Sequence, residues 1–218
     1  MESIFTTINL IRFADGLFVT FYIAIISIML SILFGSIVGL CMLSKFFPIR
    51  ALCRFYLEFV RIVPILALLY VFYFGLPQAL GLDINNHLVA IIVFVIWGSA
   101  EIGDLVRSSL NSIDKHQRES ALSLGLSWLQ TQLFIIFPQA NKRLLPAFIN
   151  LFTRMIKTTA LVTFIGVVDV LQVGRQIIEA NRAIDNAPFI IYGLLLLLYF
   201  AICYPLSRFS KKLENKWN

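Results

Sequence analysis

Long apolar stretches separated by short polar segments dominate the chain. Their lengths predict five membrane-spanning helices, at about residues 16–44, 55–77, 88–106, 144–171 and 188–207. We therefore predict an all-α integral membrane protein whose 218 residues form a single transmembrane domain.

A further stretch, between Glu119 and Lys142, carries no charge and is long enough to cross a membrane. If it does not cross and the N-terminus lies outside, twelve of the eighteen lysines and arginines lie on the cytoplasmic side and three lie outside. If it does cross, Lys142, Arg143 and the basic tail face outside, and this asymmetry is lost. Because lysine and arginine concentrate on the cytoplasmic side of membrane proteins, we predict an outside N-terminus, a cytoplasmic C-terminus and a cytoplasmic loop at about 114–143.

The loop contains the start and stop signals of two short helices. Asp114 can cap a helix that begins at Lys115, and Gly125 can end it in the left-handed conformation. Ser127 and Gln130 have the spacing of a capping box for the second helix, and Pro138 is expected to end or kink that helix.

Composition excludes a soluble globular protein, since 59% of the residues are hydrophobic and only 14% are charged. The net charge of +6 comes from short basic clusters between apolar runs, which indicates membrane loops more than a nucleic-acid surface. The three cysteines, Cys41, Cys53 and Cys203, have no metal-type spacing, and we interpret them as small buried apolar residues.

Charged residues inside predicted spans are costly, so they are either paired or functional. They form three pairs with a spacing of three residues: Glu58 and Arg61, Glu101 and Asp104, and Arg154 and Lys157. One interpretation is a salt-bridge network that fixes helix packing, in which Glu101 bonds to Arg154 or Lys157. The other is a path that contacts a charged substrate.

Three separated elements of the chain form a recognisable series: "YLEFVRIVP", "SAEIGDLVRSSLNSIDKHQRESALSLG" and "PAFINLFTRMIKTTAL". In this order they resemble the permeases of ABC importers for polar amino acids, and the resemblance extends from about Tyr56 to Glu179. It departs from the family pattern at several positions. Asp104 stands where the family has a glutamate, and Glu101 stands where an aromatic residue is common.

The resemblance implies a five-span type I importer permease in the bacterial inner membrane. It would pair with a second permease, identical or homologous, above two ATP-binding subunits and below an extracytoplasmic solute-binding protein. The loop helix would couple to the ATPase through Gln117, Glu119, Ser120, Ala121, Leu124 and Gly125. No catalytic or metal site and no cofactor of its own is implied, because ATP and magnesium would be bound by the partner subunits.

The sequence leaves alternatives open for one further helix and for the function. The segment that contains Arg175 and Glu179 predicts an amphipathic helix on the outer surface, which could contact the binding protein or pack at the membrane interface. A permease for another small solute and a secondary transporter are the alternative functions. An intramembrane enzyme is disfavoured, because His87 and His116 are predicted on opposite sides of the membrane.

Overall fold

The computed structural model describes residues 4–81 and 83–217, and the regular structure in these ranges is helical throughout. The described residues form α1 (Thr7–Cys41), α2 (Phe47–Ile62), α3 (Ile65–Leu80), α4 (Asn86–Asn111), α5 (Lys115–Ser123), α6 (Trp128–Ile165), α7 (Val170–Ala180) and α8 (Ala187–Trp217). By length and apolarity, α1, α4, α6 and α8 can each cross a membrane, and α2 with α3 can supply a fifth crossing. The predicted all-α fold class is confirmed.

Two of these helices contain stretches of other helical types. In α3 the segments are Ile65–Tyr70, a π-helical turn at Val71–Gly75, and Leu76–Leu80. In α6 they are Trp128–Gln130, a π-helical turn at Thr131–Ile136, Phe137–Thr158, and a 3₁₀ segment at Thr159–Ile165. Such turns widen or tighten the backbone locally without ending the helix.

The span predicted at 55–77 is a bent pair of helices. The chain turns by 99° between α2 and α3. Pro64 lies at this break with an extended backbone, and the residue before a proline is disfavoured in the helical region. The amphipathic α2 begins at Phe47, inside the segment that the sequence pattern predicts to be a basic loop.

Helix α6 also differs from the prediction, because it begins at Trp128 and not near Leu144. Neither Pro138 nor Pro146 ends it. The π-helical turn directly before Pro138 is the kind of local rearrangement that accommodates a proline in a helix. Helix α6 ends at Gly166, whose φ of 80° is left-handed. The helix is therefore shorter at this end than the predicted span, which extends to about residue 171.

The chain forms two compact units, and the long helices contribute residues to both. The first unit comprises Met1–Met29, Val63–Val95 and Phe152–Pro205, and the second comprises Leu30–Ile62, Ile96–Leu151 and Leu206–Asn218. In the first unit, α7 packs its apolar face into a core, as its amphipathic sequence predicts. The buried residues of that core are Ile4, Val170, Val173, Ile177, Ala187, Ile191 and Leu195.

Asp169 anchors the start of α7 in the first unit. Its carboxylate oxygen Oδ1 accepts a hydrogen bond of 2.9 Å from the backbone N–H of Gln172, so the side chain caps the helix. The residue is fully buried, and this burial raises the pKa of its carboxyl group to about 6.

The second unit depends on a close approach of α1 to α4. A Cβ atom added at Gly35 would lie 2.7 Å from Cβ of Ile102, and one added at Gly39 would lie 2.7 Å from the carbonyl oxygen of Gly103. On α4, a Cβ atom at Gly103 would lie 3.0 Å from Val38. Small residues four apart allow helix backbones to approach closely in membranes, where the hydrophobic effect does not drive helix association.

This contact predicts the effect of a single methyl group. Gly39→Ala should destabilise the protein by about 1–3 kcal/mol, because the new Cβ would overlap the backbone of α4. The measurement is the thermal unfolding of the purified protein in detergent. Gly193→Ala is the matched control, since Gly193 lies in α8 and a Cβ atom added there would have no neighbouring atom within 4 Å. Equal stability of the two variants would contradict the prediction.

Candidate functional site

The first candidate site comprises α5, the start of α6 and the turn between them. Asp114 caps α5, with its Oδ1 accepting a 2.9 Å hydrogen bond from the backbone N–H of His116. Ser127 and Gln130 form the predicted capping box, with reciprocal hydrogen bonds of 2.8 and 3.3 Å. Both predicted helix starts are therefore confirmed.

The turn between the two helices depends on Gly125, which has a φ of 81°. The N–H of Gly125 donates to the carbonyl of Leu122, and the N–H of Leu126 donates to the carbonyl of Ala121. These two bonds are the Schellman pattern, in which a glycine takes the left-handed position after the helix. The angle between α5 and α6 is thus set by backbone hydrogen bonds around one glycine.

Two side-chain contacts fix this turn to the body of α6. Gln139 donates a 3.1 Å hydrogen bond to the side-chain oxygen of Gln117. Arg143 donates to the carbonyl oxygen of Ser112 at 3.1 Å and also bonds to the Ser112 hydroxyl. Both contacts hold the N-terminal end of α5 and the residues just before it.

The surface of this turn is apolar and uncovered. Leu124 is 83% exposed, and Leu122, Trp128 and Leu129 are exposed as well. Of the predicted coupling residues, Gln117 and Glu119 are exposed, Ser120 is half-buried and Ala121 is buried. An exposed apolar patch of this kind marks a protein contact or a membrane contact.

The second candidate site is a charged cluster on α2 and α4, within the second unit. Asp104 accepts hydrogen bonds from Arg61 at 2.8 Å and from Arg107 at 2.5 Å. Glu101 lies 3.6 Å from Nε of Arg61. The cluster therefore combines two arginines with two carboxylates, so its formal charges cancel.

A cavity of about 270 Å³ adjoins the cluster. Its lining residues are Met42, Arg54, Leu57, Glu58, Arg61, Asp104 and Arg107. Tyr56 holds α2 against α4 beside it, because its hydroxyl donates a 2.6 Å hydrogen bond to the carbonyl of Ile96 and contacts the hydroxyl of Ser99 at 3.0 Å.

The structure brings together some of the predicted substrate-path residues. Arg61 joins Glu101 and Asp104, whereas the sequence alone suggested a pair between Arg61 and Glu58 on the same helix. Glu58 lines the same cavity.

The two basic path candidates lie on α6. Arg154 and Lys157 lie in the first unit, and both side chains are exposed on the surface of α6. Among the described residues, no group of three or more His, Cys, Asp or Glu side chains could hold a metal ion.

Some contributors to the two sites were not among the predicted site residues. Arg107 completes the cluster, and Gln139 and Arg143 secure the loop. Arg107 follows Asp104 by three residues, which is a helical pairing distance and a usable signal. The partners of Gln139 and Arg143 are 22 and 31 residues away, and no local pattern indicates them.

Comparisons with known proteins agree on one family. Residues 31–212 match the family described as binding-protein-dependent transport system inner membrane component. The chain is 37% identical to a probable glutamine ABC transporter permease of Bacillus subtilis (strain 168), covering 92% of this chain and 91% of that protein. It is 32% identical to the arginine transport system permease of the same organism, covering 93% and 90%.

A solved structure extends the comparison to the fold. The crystal structure of an amino acid ABC transporter with histidines matches with a TM-score of 0.82 and 28% sequence identity. The match covers 92% of this chain and 94% of that one.

The cluster predicts that losing one of its acids costs more than losing an acid of an exposed pair. Asp104→Asn should destabilise the protein by about 1.5–3 kcal/mol, because it weakens hydrogen bonds to two charged guanidinium groups. Glu179→Gln should cost at most about 1 kcal/mol, because both side chains of its pair with Arg182 are exposed. Thermal unfolding of the purified variants measures both changes. An equal or larger loss for Glu179→Gln would contradict the prediction.

Proposed function

Because the chain belongs to the family of binding-protein-dependent transport system inner membrane components, we propose that it carries a polar amino acid into the bacterial cytoplasm. It is a permease subunit of an ABC importer. In the proposed complex, two ATP-binding subunits lie on the cytoplasmic side, a second permease lies beside this chain, and an extracytoplasmic solute-binding protein delivers the substrate.

The single observation that carries the proposal is the capped turn of α5 and α6. A loop that only rests on the membrane does not need a capped helix, a Schellman turn and two side-chain contacts to hold it. A rigid turn with exposed Leu124, Trp128 and Leu129 suits docking into a groove of another protein. We assign it as the coupling element, with Gln117, Glu119, Ser120, Ala121 and Leu124 at or beneath the contact and Gly125 at its hinge.

The energy source follows from the same assignment. The sequence contains no phosphate-binding loop of the form Gly-x-x-x-x-Gly-Lys. We therefore assign ATP and magnesium binding to the partner subunits, and this chain supplies the membrane path and the mechanical link.

An exposed charge on α6 supports a second permease. Lys157 is exposed in the single chain, within a helix that is long and apolar enough to cross a membrane. Contact of such a charge with lipid is unfavourable, so it should face a water-filled path or a neighbouring subunit. A path between this chain and a second permease, identical or homologous, provides such surroundings.

The proposed substrate class follows from the charges and from the relatives. An amino acid has an ammonium group and a carboxylate, and the substrate-path candidates include both signs of charge: Glu58, Arg61, Glu101, Asp104, Arg154 and Lys157. The relatives named for glutamine and arginine transport act on polar amino acids. A different small solute is the alternative, and direct binding assays with the solute-binding protein would decide between them.

The coupling role can be tested at Gly125 in the reconstituted complex. Gly125→Val should lower ATP-driven uptake of radiolabelled amino acid, because a β-branched residue is strained at a φ of 81°. Gly125→Asn is the control, since asparagine tolerates the left-handed conformation, and it should retain most of the uptake.

Two results would contradict this assignment. Normal uptake by Gly125→Val would mean that the turn does not transmit the ATPase motion. Uptake that requires an ion gradient and no ATP would indicate a secondary transporter.

The proposed orientation can be tested by cysteine labelling in intact cells, in a variant that lacks the three native cysteines. A cysteine at Asn186 should react with a membrane-impermeant maleimide, because we place this position outside. A cysteine at Lys142 should react only after the membrane is made permeable. Labelling of Lys142→Cys in intact cells would reverse the assignment of the α5–α6 turn to the cytoplasm.

A further inference from the structure

The last helix continues well past the end of its apolar segment. Helix α8 has 31 residues, so it is about 47 Å long, whereas the hydrocarbon core of a bilayer is about 30 Å thick. About 20 residues are enough to cross that core, and residues 187–207 contain no charge. The crossing therefore ends near Ser207, and the last three turns of α8, from Arg208 onward, lie in the headgroup layer and beyond it.

One face of this helix end packs against α6 in the second unit. The Ser210 side chain is buried, and its hydroxyl donates a 2.9 Å hydrogen bond to the carbonyl of Pro146. Glu214 and Trp217 line a cavity of about 290 Å³ together with Pro146 and Asn150. Positions 210, 214 and 217 follow one another by four and three residues, so they share one face of the helix, and that face is turned toward α6.

The opposite face of the same helix end is basic and exposed. Positions 208, 211, 212 and 215 have the spacing of a second helical face, and their side chains form the walls of a shallow surface groove together with Phe209. We call it the basic groove, and its lining residues, all exposed, are Arg208, Phe209, Lys211, Lys212 and Asn215. Glu214 is the only acidic residue between positions 208 and 216, and it lies on the face toward α6. The lining of the basic groove therefore carries three positive charges and no negative charge.

The basic groove lies at the depth of the lipid phosphates. The headgroup layer on each side of a bilayer is about 5–8 Å thick. Measured from Ser207, Arg208 rises by about 1.5 Å along the helix axis and Lys212 by about 7.5 Å, so the groove spans this layer. Lys216 rises by about 14 Å, which places it beyond the layer, and it does not line the groove.

We propose that the basic groove binds the phosphate headgroup of an anionic phospholipid and thereby anchors the end of α8 at the membrane surface. The Arg208 guanidinium presents a fork of donors that matches two phosphate oxygens, and the lysines add positive charge beside it. Clusters of basic residues directly after a spanning helix attract anionic lipids in this way. Phe209, which is 53% exposed, offers an apolar contact to the lipid glycerol and upper acyl chain. The inference depends on neither the transported solute nor ATP.

The surroundings of the basic groove favour a lipid over a free phosphate ion. Only 17% of the most apolar window of α8 is buried within the chain, so the span that leads to the groove is largely uncovered. A lipid offers acyl chains to such a surface and a phosphate to the groove, whereas a free ion contacts the groove alone. The same lipid chemistry explains why the positive charges begin at Arg208, directly where the apolar segment ends.

The first experiment measures lipid binding to the purified protein in a non-ionic detergent at low salt. The protein is titrated with phosphatidylglycerol, and native mass spectrometry gives the fraction that carries bound lipid. Lys211→Gln and Lys212→Gln should each weaken the affinity about fivefold, and the double variant should weaken it about 25-fold. Lys216→Gln is the matched control, because it removes the same charge from the same helix outside the groove, and it should change the affinity less than about twofold.

Two further arms of this experiment identify the ligand. Phosphatidylcholine has no net charge, so it should bind weakly and equally to wild type and to the double variant. Inorganic phosphate, at the concentration of the lipid, should not displace phosphatidylglycerol from wild type. Unchanged phosphatidylglycerol affinity in the double variant would overturn the proposal, and so would an equal loss in Lys216→Gln, which would indicate diffuse attraction to the whole tail. Displacement by inorganic phosphate would replace the lipid with a free anion.

The second experiment tests the anchor in a bilayer. Wild type should unfold at a higher temperature in vesicles that contain phosphatidylglycerol than in vesicles of phosphatidylcholine alone, and the Lys211→Gln/Lys212→Gln variant should lose this difference. In phosphatidylcholine the two proteins should unfold at the same temperature, because both lysines are exposed and their substitution does not disturb the fold. A difference that persists in the double variant would overturn the anchor. A double variant that keeps its lipid binding and loses association with the ATP-binding subunits would assign the face to a protein contact, and would overturn the proposal as well.

Discussion

The close contact of α1 with α4 is the constraint on which the second unit depends. Gly35 and Gly39 leave no room for a Cβ atom against Ile102 and Gly103, so the two helices pack closely at this point. Membrane helices gain little from apolar burial against each other, and close packing of this kind has to supply the specificity. Because one face of α4 is fixed against α1, its other face is presented to α2 in a single orientation, and that face carries Glu101 and Asp104.

The cluster on that face is stable in a low-dielectric setting because its charges cancel. Asp104 accepts from both Arg61 and Arg107, and Arg61 also lies near Glu101. An arginine can serve two carboxylates because its guanidinium presents several donors in a fixed fork. Removing one member would leave an uncompensated charge, which costs more than the net gain of the pair. The cluster is thus a packing device and a mixed-charge surface beside a cavity, and these two roles do not exclude each other.

Local signals in the sequence predicted local structure well. Asp114, Ser127 with Gln130, and Gly125 occupy the helix-end positions that their chemistry indicates, because each acts on backbone groups within a few residues. The bend at Pro64 and the continuity of α6 through Pro138 were not predicted. A proline has the same local effect in both places, and whether a helix ends there depends on the surrounding packing and on a π-helical turn. The partner of Arg61 was missed for a related reason, since Asp104 is 43 residues away and Glu58 is a plausible neighbour on the same helix.

The position of the cluster also gives a short route from the proposed coupling turn to the proposed substrate path. From Asp104 to the end of α4 at Asn111 is about 10 Å along the helix axis. Only Ser112, Ile113 and Asp114 separate that end from α5, and Arg143 holds Ser112 against α6. In the proposed complex, a displacement of α5 would therefore act on α4 through a connection of only three residues. Asp104 lies on α4, so its hydrogen bond to Arg61 is the first contact along this route that would have to adjust.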